Sequence, residues 1–581
     1  MHTFRFSPRP NRAHEIEWRG WGPEPFEEAD REDRPVLLNL TAAWCTWCHR
    51  LDETTFSDPA LIALLNESFV PVRVDTDRHP HVQDRYIAGG WPTTAFLTPT
   101  GEVLWVGTYV EPEALLSIAQ SVAAAWKERR TEFRTEIERR RRALDAARNR
   151  PGSVGLVRRE AADDVLTAAR EAFDPRNGGF GDAPKFPAPD AIELLFLQGS
   201  RGESDCTGIA VRTLDGMLAG ELFDREEGGF FRFAHTADWT SPAPEKLLVV
   251  NAALVQAYAA GARIRERADW ADAAARTVAW VDERLRRDDG LWGGSEAGDE
   301  EYYGAAAAAR EHGATVDRTA YTGANALWIG ARAAAGASLG RPEWCTDSAA
   351  ALERLLAASA AADGLLHHIH ETDGQTGLAI LAGDLVAVGR ACITVAESSG
   401  EMRWLDEARR VAGGLERHFW AEDGGFYDRI RSRDDVGALR HRDRPFELNA
   451  EIARFLVDLT HATGERKYRA IAERVLATFS PQAGRFGVGG AAFAIAVEEY
   501  FQAPPRIFIV GEASATGPLR EAALRLTVPG RRVWPAAADA RIGPLHFRAE
   551  RTPAAFACGR QGASAPVTDP AAIEEAVARV L

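Results

Sequence analysis

The residues of this chain best placed to do chemistry are Cys45 and Cys48, two positions in NLTAAWCTWCHR, residues 39–50. The apolar run Val36, Leu37, Leu38 and Leu40 reads as a buried strand, and the cysteines follow a short turn at the start of a predicted helix. Thiols at this spacing can close a disulfide within the first helical turn. The first sulfur faces the partial positive charge of the helix end, which favours its thiolate. The chemistry expected is dithiol–disulfide exchange, with Cys45 attacking, Cys48 resolving the mixed disulfide, and no cofactor required. Two other chemistries use the same letters. Cys45 to His49 matches the c-type haem attachment pattern, and a Cys pair supplies half of a zinc site. Haem attachment happens outside the cytoplasm, and the first residues, MHTFRFSPRPNRAHEIEW, contain no apolar signal core. No second Cys/His pair stands at ligand spacing, so no metal is expected.

The elements that must position this pair follow in order. Val70 to Asp75 reads as a second strand, GGWPTTAFL (residues 89–97) as a turn entering a third, and Gly101-Glu102 as a hairpin turn into Val103–Gly107. From about residue 20 to 125 this order resembles the thioredoxin fold. The resemblance implies that Pro92 is cis and faces the disulfide, where neighbouring backbone docks an extended substrate. Trp44, Trp47, Trp91 and Pro92 are the expected substrate-binding residues. One departure is chemical: thioredoxins carry a buried Asp six residues before the first Cys, and here that position is Asn39. An amide cannot accept the resolving thiol's proton, so slower or differently tuned exchange is expected.

At 581 residues the chain is too long for one ordinary core. Hydrophobic residues at 45% and charged residues at 27% are globular proportions, and no apolar stretch reaches the ~18 residues of a membrane span. A cytoplasmic protein with no membrane partner is expected. Net charge of −16 argues against a nucleic-acid partner, because phosphates would be repelled. Cys206, Cys345, Cys392 and Cys558 lie far apart and read as reduced, mostly buried thiols. Lysine occurs only at positions 127, 185, 246 and 467; arginine supplies the remaining positive charge.

The expected domains are a thioredoxin-like α/β domain (1–126), a charged linker helix (127–154, with a boundary at Pro151-Gly152), a helical ring (155–503) and a small C-terminal α/β segment (504–581). In the long middle a Gly-rich turn recurs six times, near residues 174–181, 224–231, 288–295, 363–369, 422–428 and 481–488. Twelve amphipathic, Ala/Leu-rich segments lie between these turns, from Arg159–Phe173 to Gly489–Tyr500. Six helical hairpins without intervening strands predict a closed (α/α)6 toroid, which resembles the six-hairpin glycosidase-like fold. All six turns would fall at one end, and the residues just after them would converge on one mouth. The candidates there are Lys185, Arg232, Trp239, Glu245, Lys246, Asn251, Asp317, Asn325, Asp384 and Asn449. Carboxylates and aromatics around a funnel suit a saccharide ligand. His367, His368 and His370 are expected to be solvated rather than metal-bound.

The whole order resembles the spermatogenesis-associated-protein-20-like family, which joins a thioredoxin-like domain to a six-hairpin toroid and a short α/β piece. The motifs that carry the likeness are Glu17-Trp18-x-x-Trp21-Gly22, the Cys45–His49 run, GGWP (89–92), FLTP (96–99), GGFG (178–181), APKFP (183–187), Glu245-Lys246 with Asn251, and PVTDP (566–570). No reaction is firmly attached to that family, so the resemblance implies architecture above activity. Several family positions differ here: Glu53-Thr54 replace a His-Glu pair, Ala243 a His, Val250 an Asp, and Gly383 a Glu. Arg318, Thr319 and Ala324 replace an Asp-Lys pair and a Trp, and Ala563 stands where the family pairs a Cys with Cys558. The dithiol is intact while the ring mouth has lost polar groups. The leading expectation is therefore a thiol–disulfide oxidoreductase acting on a protein disulfide client with a cellular reductant. A carbohydrate-active enzyme and a non-catalytic binding scaffold are the alternatives.

Overall fold

The computed structural model describes residues 4–148, 155–304, 314–543, 545–548 and 551–581. The chain divides into two units. The first comprises Met1–Gly152, Ala297–Asp317 and Arg429–Asp443, and the second Ser153–Glu296, Arg318–Asp428 and Arg444–Leu581. Two excursions from the expected ring segment thus belong with the N-terminal unit, and the C-terminal segment belongs with the ring.

In the first unit, α1 (Pro23–Glu32) precedes β1 (Val36–Thr41), α2 (Thr46–Glu53), α3 (Pro59–Ser68), β2 (Val70–Asp75), α4 (Pro80–Tyr86), β3 (Thr93–Leu97), β4 (Val103–Gly107) and α5 (Pro112–Arg148). The sheet order is β2-β1-β3-β4, with β1 parallel to β2 and antiparallel to β3. Every residue of β1 is buried, as a central strand covered on both faces requires. Alternation then sorts its side chains. Val36, Leu38 and Leu40 join Val70, Val72, Val74, Trp21, Phe26 and Tyr86, whereas Leu37 joins Phe56, Leu65, Phe69, Phe96 and Leu115 on the other face. The 429–443 excursion completes the first of these cores with Leu439. Tyr86 Oη donates to the Gly101 carbonyl and accepts from the Ala438 amide, both at 2.8 Å. A Cβ on Gly101 would stand 2.3 Å from Gly437 Cα, so this close approach of backbones needs glycine. The charged helix expected from 127 is not a separate linker. It continues α5, with one non-helical residue at Arg129, and the boundary expected at Pro151-Gly152 lies outside the described residues.

In the second unit the helices are α6 (Glu160–Ala172), α7 (Pro189–Ser200), α8 (Ser204–Ala219), α9 (Leu248–Arg265) and α10 (Ala268–Arg284). The short α11 (Glu300–Gly304) lies in the first unit's excursion, after which come α12 (Thr322–Leu339), α13 (Pro342–Ser359), α14 (Ala382–Ser399), α15 (Arg403–Phe419), α16 (Phe446–Thr463), α17 (Arg466–Phe479) and α18 (Ala491–Phe501). α7 packs on α9, α9 on α12, α12 on α14, α14 on α16, α16 on α18, and α18 back on α7. That is a closed inner ring. Each inner helix carries an outer partner, and the first helix, α6, backs the last, α18. Burial follows the layers: α18 is buried from Ala491 to Tyr500, whereas outer helix α15 buries only one stripe. Five of the six Gly-rich turns close with one antiparallel bridge, such as Phe173 to Phe180 and Trp420 to Phe426. The sixth is instead a run of 3-10 turns, Ser480–Gly490. The C-terminal segment adds a four-stranded sheet centred on Arg506–Val510, which pairs in parallel with Arg532–Ala536 and antiparallel with Ala554–Gly559.

Candidate functional site

Cys45 and Cys48 form a disulfide with Cα atoms 5.2 Å apart. Cys45 is the N-cap of α2, in extended backbone, and its Sγ accepts the Cys48 amide at 3.0 Å. The helix end expected to favour a thiolate therefore holds the first sulfur directly. Both cysteines are only 2% exposed. The Trp91–Pro92 bond is cis. Pro92 is buried, and Trp91 meets Trp44 edge-on at 5.2 Å while its indole donates to Thr76 Oγ1 at 3.0 Å. Of the four expected substrate-binding residues, Trp44 and Pro92 are buried, Trp91 is partly exposed, and Trp47 is half exposed and leans on Tyr109. Beside it a cavity of about 240 Å³ is lined by Arg9, Trp47, His49, Glu53, Asp299 and Thr315.

The charge missing at position 39 is present nearby. Asn39 Oδ1 accepts from Arg73 Nη1 at 3.1 Å, and Arg73 forks onto Asp52 at 2.9 and 2.8 Å. Asp52 lies one turn after Cys48 on α2 and is wholly buried, where its carboxyl oxygens accept this bidentate pair and the Ser7 amide at 3.1 Å. Burial pushes the pKa of His49, next to Cys48, down; Asp52 and Glu53 pull the other way. On the other side of the pair, Asp77 hydrogen-bonds Trp44 and is pushed up to about 8, mainly by burial and further by the Asp75 and Asp317 carboxylates. Sequence reasoning missed these groups because their partners come from separate strands and from the excursion.

The ring-end candidates mostly do another job. Asn251, Asn325 and Asn449 occupy the same position, in the first turn of α9, α12 and α16, and each is wholly buried. Each side chain accepts the amide of an aromatic in the preceding Gly-rich turn (Phe230, Trp292, Phe426) at 2.7–2.8 Å and donates back to that residue's carbonyl at 2.9–3.0 Å. They pin turn to helix. Lys185 and Lys246 repeat a second device: each Nζ donates at 2.7 Å to the Asp that opens a turn (Asp174, Asp224) and at 2.9–3.0 Å to a turn carbonyl (Gly178, Gly228). Both lysines are wholly buried, and burial lowers the Lys246 pKa against the pull of Asp224. Trp239 is 1% exposed, with its indole on the Asn177 carbonyl at 3.2 Å, so it is a wedge under the first turn rather than a stacking platform. Asp317 belongs to the first unit, where it pairs with Arg5 at 2.8 Å. Glu245 is buried, and its carbonyl accepts the Arg232 amide at 2.9 Å; the Arg232 guanidinium lies over Phe233.

Asp384 keeps a chemical arrangement. It sits in the first turn of α14, accepts the Gly323 amide at 2.8 Å, and faces His368 Nδ1 with both carboxylate oxygens at 3.0 Å. His370 Nε2 meets Thr322 Oγ1 at 2.7 Å, and burial pushes its pKa down to about 4. His368 and His370 are thus buried, not solvated as expected. Among the described residues no group of three or more His, Cys, Asp or Glu is arranged to hold a metal. Cys206, Cys345, Cys392 and Cys558 are free and buried, and burial pushes each thiol's pKa up. No helix of the described residues is long and apolar enough to cross a membrane.

The family model described as Thioredox_DsbH, protein of unknown function, DUF255, matches residues 9–145. Spermatogenesis-associated protein 20 of Homo sapiens is 29% identical over 313 residues, 48% of this chain and 39% of that protein. An uncharacterized protein of Caenorhabditis elegans is 30% identical over 272 residues, 43% of this chain and 37% of its own length. The matches thus span about two-fifths of these curated relatives. Among solved structures, a sugar epimerase from a ruminal bacterium and a cellobiose 2-epimerase from Bacillus thermoamylovorans each align with 54% of this chain. They cover 84% and 85% of those chains at TM-score 0.45, with 14% and 12% identity. Those likenesses do not bear on activity, and the ring stands on the packing of its own helices. Over about half its length the chain is similar to spermatogenesis-associated protein 20, and it is built from a thioredoxin-like α/β unit and an (α/α)6 toroid.

Proposed function

We propose that the protein is a thiol–disulfide oxidoreductase. The observation that carries the reading is the Cys45–Cys48 disulfide at the start of α2, with Cys45 Sγ on the Cys48 amide. In the reduced protein the Cys45 thiolate attacks one sulfur of a client disulfide, and the client's other sulfur leaves as a thiolate. The Cys48 thiolate then attacks Cys45 Sγ, releasing the client as a dithiol and restoring the Cys45–Cys48 bond. Two electrons pass to the client, and a cellular dithiol reductant returns them. A cytoplasmic setting, as expected from the sequence, would provide that reductant. The test is reduction of insulin disulfides by dithiothreitol, followed by turbidity. The protein should accelerate it above dithiothreitol alone and Cys45→Ser should not; equal rates would reject the reading.

One observation favours a second role for the ring. The His368–Asp384 pair is an imidazole oriented by a buried carboxylate at the N-terminal end of neighbouring inner helices, the kind of pair that moves protons to and from a ligand. A saccharide is the ligand class this reading proposes. Calorimetric binding of mono- and disaccharides that is lost in Asp384→Ala and kept in Cys45→Ser would support it; absence of binding across a broad panel would remove it.

A further inference from the structure

Backbone from the first excursion is hydrogen-bonded to both residues that flank Cys45. Gly298, at the start of the first excursion, donates its amide to the Trp44 carbonyl at 3.0 Å, and its carbonyl accepts from Thr46 Oγ1 at 3.1 Å. Residues 44 and 46 flank Cys45, so one glycine bonds to both sides of the attacking sulfur's residue. An extended polypeptide docking beside a thioredoxin-like dithiol would use the same kind of contact, main-chain amide and carbonyl against the rim of the cysteine pair. The residue seated there has no sulfur, and the Ala297–Asp317 stretch contains no cysteine. Both cysteines are 2% exposed.

Besides the two bonds of Gly298, Ala297 N donates to Thr315 O at 2.8 Å within the same excursion. Arg9 approaches Asp299 at 3.7 Å and Glu301 at 3.5 Å, exposed pairs of the sort that contribute little. The 240 Å³ cavity adjoins the segment: Ala297, Gly298 and Asp299 line it together with Trp47 and His49.

We propose that Ala297–Asp299 is a resident pseudosubstrate: it occupies the backbone-docking rim formed by the Trp44 carbonyl and the Thr46 hydroxyl, and a client in extended conformation must displace it to present a disulfide to Cys45. The choice of client rests on the oxidoreductase reading above; the occupancy of the rim does not. Such a site favours flexible, disulfide-bearing segments able to supply an N–H and a C=O, and it excludes disulfides embedded in rigid folded surfaces. It also keeps the thiolate from adventitious oxidants when no client is present.

Two measurements on the full-length protein separate occupancy from redox function. In fully reduced protein, the iodoacetamide alkylation rate of Cys45 is read by peptide mass spectrometry. Gly298→Pro, which removes the amide donor, and Thr46→Val, which removes the hydroxyl, should each raise that rate roughly 2- to 10-fold, the effect of losing one neutral hydrogen bond. In Cys48→Ser/Gly298→Cys, diamide oxidation should join the introduced thiol to Cys45 within one chain, while Cys48→Ser/Gly304→Cys should not. Unchanged alkylation in both single variants together with no intramolecular disulfide would overturn the proposal. Faster alkylation with no insulin reduction in any variant would keep the pseudosubstrate and reject the oxidoreductase.

Discussion

The N-terminal end of α2 and the N-terminal ends of the ring's inner helices look alike in sequence: polar and aromatic residues beside a turn, at the start of a helix. Their atoms are used differently. In the ring, Asn251, Asn325, Asn449, Lys185 and Lys246 spend their hydrogen bonds on the Gly-rich turns, and nothing of them is exposed. At α2 the two sulfurs are bonded to each other, and the groups around them hold shape without consuming the reactive atoms. Polar density next to a glycine turn is therefore poor evidence of a binding site. A fold that repeats such a turn needs repeated polar pins, because buried turn amides and carbonyls must be satisfied.

The contrast can be broken from either side. Cys45→Ser should abolish insulin reduction and leave the unfolding of the ring unchanged, as monitored by far-ultraviolet circular dichroism in urea. Lys246→Ala should do the reverse. It strands the buried Asp224 carboxylate and should destabilise the ring by roughly 3–5 kcal/mol, with the exchange rate per folded molecule retained. Asn325→Ala leaves the Trp292 amide and carbonyl buried without their partner, so a loss of about 3 kcal/mol is expected in the same urea titration. If Asn325→Ala were neutral for stability but removed saccharide binding, the pinning account would fail at that position.

A smaller effect concerns pH. The folded protein keeps Asp77 protonated up to about 8, against an ordinary 3.8, so folding retains a proton that the unfolded chain releases. Stability contributed through this group is full below the ordinary value and declines as pH rises through the window up to about 8. Asp77→Asn, which keeps a partner for the Trp44 indole, should flatten the pH dependence of the first unit's urea midpoint across that window. An unaltered pH slope would show that Asp77 is ionised in the folded state.

Much of this was legible in the sequence, for local reasons. The fully apolar face of β1, the Cys-x-x-Cys helix start and the Gly-x-Pro turn are encoded by neighbouring residues, and so are the twelve ring helices with their amphipathic patterns. What stayed hidden depends on long-range return of the chain. Ala297–Asp317 and Arg429–Asp443 read as ring loops yet build the first unit, because Leu439 and Gly298 find their partners at Tyr86 and Trp44 only in three dimensions. One signal was available. In a chain that uses arginine almost everywhere, lysine persists at 185 and 246, where a compact ammonium fits between an Asp and a turn carbonyl and a planar guanidinium does not. The Asn at the same offset in three inner helices was a second such signal.

The central claim, that Cys45 exchanges sulfur bonds with another molecule, is tested most directly by removing its resolving partner. Reduced Cys48→Ser protein, mixed with a flexible peptide carrying one disulfide, should form a dithiothreitol-reversible covalent adduct mapped to Cys45, in higher yield when Gly298→Pro is added. If no adduct forms at Cys45 in either background, the dithiol is not a site of exchange and the account is contradicted.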